Sequence, residues 1–192
     1  MNLSPRWCVT ALAAVGALSC SDPVPPAAQG AFIVSLSSGV ANRQCPSGAS
    51  STFDVPAEFD TNRTEALDND TYLHWTIDGE GDSHVSCRVS GSSSFTFSGR
   101  IQGDVPVLEI SDGVLSNNMT GTARISVSNG AKLSTALSSA AADCTISVVT
   151  NSKGVQVRPG SMWATFNCPA LLHDPSDGCS ARGTFVLENC SQ

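Results

Sequence analysis

Beyond residue 30 the dominant pattern is alternation of apolar and polar residues, the signature of strands with one face on a core. It predicts strands over 32–36, 71–77, 85–89, 95–101, 107–110, 123–127, 144–149, 162–168 and 184–187. Turn chemistry separates them: Asp78-Gly79, Ser90-Gly91, Asp112-Gly113, Asn129-Gly130 and the stretch from Asn151 to Gly154. About nine strands joined by short turns, with no strand–helix–strand alternation, predict an all-β domain, an antiparallel β-sandwich or a partly closed barrel. Two stretches depart from the period. Residues 131–142 are rich in Ala and Ser, with Leu133 and Leu137 four apart between Gly130 and Asp143, which predicts a short helix. Residues 56–70 read as a long polar loop.

The amino-terminal end follows a different grammar. Arg6 precedes an apolar run from Val9 to Leu18, too short for the roughly 20 residues that span a bilayer but right for an export signal. Ala17-Leu18-Ser19-Cys20 follows, and this resembles the lipobox of bacterial lipoproteins. The resemblance implies that residues 1–19 are a signal peptide, that Cys20 becomes the first mature residue and carries the lipid, palmitate included, and that the membrane is reached through that lipid. Asp22 is second after the cysteine, which points to the outer membrane of the cell envelope. In the alternative, Cys20 follows an ordinary cleavage site and the protein is secreted. Residues 20–30 are proline-rich and read as a tether, leaving 31–192 as one domain.

Without residues 1–19 the chain keeps nine basic against 17 acidic side chains, a net charge of −8. Such a polyanion lacks the cationic surface that neutralises phosphates, so nucleic acid is not an expected partner. An envelope protein or a glycan is.

Six cysteines follow the tether: Cys45, Cys87, Cys144, Cys168, Cys179 and Cys190. An even number behind an export leader predicts three disulfides. No pair has the short spacing of a zinc site. If 162–168 pairs with 184–190, Cys168 and Cys179 lie at the mouth of the loop containing Asp174 to Gly178, which predicts Cys168–Cys179. The same register puts Cys190 near Ser161, and a hairpin turning at 151–154 brings Cys144 to that end, predicting Cys144–Cys190. Cys45–Cys87 follows by elimination.

Functional chemistry is sparse. On 71–77 the apolar face is Leu73, Trp75 and Ile77, so Tyr72, His74 and Thr76 point the other way. Tyr72 and His74 are candidates for a ligand face, although a solvated outer face is the plainer reading. Trp163 alternates away from Ala164, Phe166 and Cys168 and is a further surface candidate for sugar binding. Asp78, Glu80 and Asp82 have the spacing of a calcium loop, but Val89 stands where an EF-hand closes with Glu, so they are a weak metal candidate and no cofactor is expected. The G-x-S-x-G pentapeptide of serine hydrolases is absent. These features lean toward a non-enzymatic, lipid-anchored envelope protein with a binding or structural role. The alternatives are a secreted or periplasmic hydrolase using His84 or His74 with acids from the long loops, the carboxylates Asp60, Asp68, Asp70, Glu109 and Glu188 having no relative placement in the sequence, and a calcium-stabilised adhesion module.

Overall fold

A computed structural model describes residues 25–38, 45, 52–55, 76–117, 119–130, 133–140, 143–151, 154–173 and 178–192. Its strands are β1 (Gln29–Ser37), β2 (Thr52–Val55), β3 (Thr76–Ile77), β4 (His84–Gly91), β5 (Phe95–Gln102), β6 (Pro106–Ser116), β7 (Thr120–Asn129), β8 (Leu133–Ser138), β9 (Cys144–Val148), β10 (Thr150–Asn151), β11 (Gly154–Val155), β12 (Val157–Arg158), β13 (Ser161–Leu172) and β14 (Gly178–Glu188). Among the described residues there is no helix. The domain is all-β, as the alternation predicts.

One large antiparallel sheet runs in the order β2-β1-β14-β13-β8-β7-β6-β5-β4, with β9 bridging β13 and β7 and with β3 and β12 as short additions. The sheet curls until its ends meet. At one end β3 pairs with β1 and Asp78 N–H donates to the Ala28 carbonyl. At the other, the chain beyond β14 crosses to the free edge of β4: Val89 N–H donates to Ser191 O at 2.9 Å and Ser191 N–H to Cys87 O at 3.0 Å. Gly160 N–H donates to Val89 O at 2.9 Å. The result is a barrel closed unevenly, by patches rather than by a continuous ladder.

The inward halves of the alternating strands fill it. Val34, Val85, Phe97, Ile101, Leu108, Ile125, Ile146, Phe166, Phe185 and Leu187 all belong to one buried cluster. At its centre Phe185 lies 6.3 Å from Phe97 and 6.4 Å from Phe166, within the range in which aromatic pairs add to burial. Two of these rings sit opposite a glycine on the neighbouring strand, Phe97 against Gly113 and Phe166 against Gly183. A Cβ on Gly183 would come within 2.6 Å of the Phe166 ring and collide with the Ile33 carbonyl. Glycine there makes room for the ring.

Several expectations are corrected. Residues 133–138 form β8, not a helix: Leu137 pairs with Val127 and Ser138 with Ser126. A spacing of four suits a strand face as well as a helix turn, so Leu133 and Leu137 both reach the core. Asp112-Gly113 is no turn; β6 runs through it as a bulge between Ser111 and Val114, with Asp112 left-handed at φ 52°. The first strand starts at Gln29, two residues inside the stretch assigned to the tether. Of the 71–77 segment only β3 is described, and there Thr76 is buried while Ile77 is half-buried, the reverse of the expected facing. Thr76 sits opposite Gly30, whose inner side meets Ile101.

Three disulfides are present, with a different connectivity: Cys45–Cys179, Cys87–Cys190 and Cys144–Cys168. The hairpin of β13 and β14 forms, yet β13 continues past Cys168, so Cys168 faces Ala181 and Cys179 faces Leu171. Cys168–Cys179 is therefore replaced. Thr150–Asn151 and Gly154–Val155 pair as a separate small ladder, across whose neck Gln156 N–H donates to Val149 O at 3.0 Å. With that excursion removed from the count, β9 pairs with β13 through Thr145 and Asn167. Cys144 then stands beside Cys168, with Cα atoms 4.2 Å apart, instead of near Ser161. Cys190 does lie at the Ser161 end, where its N–H donates to Gly160 O, but its partner is Cys87 on the β4 edge that the tail closes. That leaves Cys45 to Cys179 in place of Cys87.

Candidate functional site

The outward halves of the same strands make the surface. Because partner residues on adjacent strands stand side by side on the same face, the registers assemble transverse rows across β7, β9, β13, β14 and β1. One row is Thr122, Thr145, Asn167, Arg182 and Ser35. The next is Thr120, Ser147, Thr165, Thr184 and Ile33. Five strands at about 4.8 Å spacing give each row a length of about 19 Å, and rows two residues apart are separated by about 6.7 Å.

Over these rows lies a groove of about 620 Å³, lined by Ile33, Ser35, Thr145, Ser147, Thr165, Asn167, Arg182 and Thr184, with Gly183 and Phe166 in its floor. That size falls within the usual range of ligand clefts. Thr165 Oγ1 donates to the Ser147 carbonyl at 3.3 Å, tying β13 to β9. Hydroxyls both donate and accept, and Asn167 adds an amide with both capacities. Arg182 is exposed and is the one charged side chain among the groove's described lining residues. A smaller groove of about 440 Å³ crosses β4, β5 and β6 beside Arg88, Thr96, Ser98 and Asp112.

Next along the same face the rows turn apolar. Ala31, Val186 and Trp163 are cross-strand neighbours and form a second buried cluster, with Ile33 and Val149 packed against it. Trp163 does point away from the main core, as the alternation indicates, but it is 1% exposed and is no surface ligand residue. Its Nε1–H is buried with no hydrogen-bond partner among the described residues.

The other candidates are placed as follows. Tyr72, His74, Cys20, Asp60, Asp68 and Asp70 lie outside the described residues. Asp78 turns its carboxylate inward to the hairpin, Oδ1 accepting from Val85 N–H at 3.0 Å, while Gly79 and Gly81 supply the positive φ the turn requires. Glu80 and Asp82 are exposed in that turn. Among the described residues no group of three His, Cys, Asp or Glu side chains is placed to hold a metal ion. His84 opens β4, opposite Gln102. Glu109 pairs with Arg100 on the surface at 3.8 Å, and Glu188 accepts from Ser161 Oγ at 2.7 Å and pairs with Arg158 at 3.8 Å. These acids are engaged on different strands from the imidazole.

The groove residues themselves escape a reading that looks for catalytic groups. Their trace in the sequence is the polar half of each strand: Thr120-x-Thr122, Thr145-x-Ser147, Thr165-x-Asn167 and Arg182-x-Thr184. Only strand pairing joins these into one surface. No protein-family profile matches this chain, and no curated protein or solved structure matches it significantly.

Proposed function

We propose that this chain is a non-enzymatic, lipid-anchored protein of the bacterial cell envelope whose β domain binds a hydroxyl-rich ligand, a glycan, on the face formed by β7, β9, β13, β14 and β1. The groove carries this reading. Its walls carry hydroxyls and an amide on paired strands, beside Ile33 and Arg182, chemistry that can meet both the hydroxyls and the apolar faces of a polyhydroxylated ligand. Strand spacing of about 4.8 Å is also close to the length of one pyranose unit, so successive strands can meet successive sugar rings. Ala17-Leu18-Ser19-Cys20 supports the anchor, and the three disulfides support an oxidising compartment.

Two measurements test the proposal. Expressed in a Gram-negative host with a tagged fatty acid, the precursor takes up label and a Cys20→Ser version does not; a label-free, cleaved wild type would make the protein secreted instead. On a glycan array the mature chain retains a subset of glycans, and Thr165→Ala with Asn167→Ala weakens retention by about thirtyfold, one hydrogen bond each at about 1 kcal/mol. Binding untouched by that pair would place the site elsewhere. Turnover of ester, peptide or glycoside substrates would replace the binding module with an enzyme.

A further inference from the structure

We infer that the ligand of this groove is an acidic oligosaccharide, held along the hydroxyl rows and fixed by one carboxylate on Arg182; this rests on the glycan-binding reading above. The charge distribution carries it. The chain as a whole is at −7, so an anionic ligand meets repulsion over most of the surface. Among the groove's described lining residues none is acidic, and Arg182 stands among them. Among the described residues Arg182 has no ion-pair partner.

Position adds to charge. Arg182 lies on β14, between Asn167 of β13 and Ser35 of β1 in one row, and Thr184 follows two residues along on the same face. A guanidinium donates two parallel N–H bonds to a carboxylate, while the Asn167 amide beside it can meet the ring substituents of the same sugar. A neutral sugar would leave the guanidinium merely hydrated. A small carboxylate would leave the rows on either side unused.

The test uses the disulfide-intact mature chain in titration calorimetry at low salt. The probes are galacturonate, mannuronate and glucuronate oligomers, their methyl esters, the free monomers, and a neutral gluco-oligosaccharide. At least one acidic oligomer binds, and its methyl ester binds about tenfold more weakly or worse, since a hydrogen-bonded charge pair is worth more than a tenfold change in affinity. Arg182→Gln brings the acid down to the level of the ester and removes its salt dependence. Arg88→Gln, in the smaller groove, leaves binding unchanged. Because Arg182 is exposed, the variant keeps the wild-type circular dichroism and melting curve. Equal binding of acid and ester, or an unchanged Arg182→Gln, overturns the acidic preference while glycan binding stands. Monomers as tight as oligomers overturn the role of the rows. If none of the oligosaccharides binds, the glycan reading falls together with this one.

Discussion

Asn189 is the residue on which closure turns. It is left-handed, at φ 54°, and this bend redirects the chain from the end of β14 to the edge of β4, while its Nδ2 donates to the Ala27 carbonyl at 3.2 Å. Asn tolerates that conformation and a β-branched residue does not. Asn189→Val is therefore expected to lower stability by about 1–2 kcal/mol, and Asn189→Gly to change it far less; denaturant melts of the two compare them directly. Gly183 makes the opposite demand, space rather than dihedral freedom. Ala at 183 pushes Phe166 off its packing against Phe185, and overpacking of this kind costs about 1–3 kcal/mol. An unchanged denaturation midpoint for Gly183→Ala would mean that both the ring and the Ile33 carbonyl have room to retreat.

At the scale of elements, β8 shows where sequence patterns mislead. The serines at its end work as ladder and seam groups: Ser138 Oγ donates to Ser126 Oγ, and Ser139, the next residue beyond β8, accepts through Oγ from Ile125 N–H at 2.9 Å while its own N–H donates to Ile125 O. Ser139→Ala separates the two readings of 131–142. A helix would gain from alanine, whereas the strand loses about 1–3 kcal/mol by leaving the Ile125 N–H unpaired. Most other strands were legible because their alternation is undiluted, as in Phe95-x-Phe97-x-Gly99-x-Ile101. The bulge at Asp112-Gly113 was not, because the same dipeptide serves a tight turn and a left-handed kink in a continuing strand. Trp163 was legible in direction and not in exposure: alternation reports which face a side chain takes, and burial of the outer face depends on what neighbouring strands place beside it. The groove was invisible for a related reason. Thr165, Asn167 and Arg182 are ordinary solvent-face residues until β13 and β14 come into register.

At the scale of the whole molecule, connectivity decides stability. Cys87–Cys190 spans 103 residues and Cys45–Cys179 spans 134, against 24 for Cys144–Cys168. In the loop-entropy picture the long bridges each restrict the unfolded chain by nearly 5 kcal/mol and the short one by about 3 kcal/mol. Replacing Cys87 and Cys190 by Ser should thus lower stability more than replacing Cys144 and Cys168. It should also open the seam, so that hydrogen exchange at Val89 and Ser191 rises to the rate of exposed amides. Equal losses for the two double variants would indicate that local packing, not chain entropy, sets the contribution of each bridge.

The same two long bridges give the chain a mechanical character. Pulled between Pro25 and its last residue, the folded domain can lengthen only along the shortest covalent path, which runs from Pro25 to Cys45, crosses to Cys179 and continues to Gln192. At about 3.4 Å per extended residue that path is about 110 Å long, against nearly 570 Å for the same chain with its bridges reduced. Most of the domain, β2 through β13, lies inside the loop that this bridge short-circuits, whereas β1 and β14, with Ser35 and Arg182, lie on the loaded path. Force on the tether side therefore loads sulfur and a short length of backbone, and stretching under oxidising and reducing conditions will read the difference as contour length.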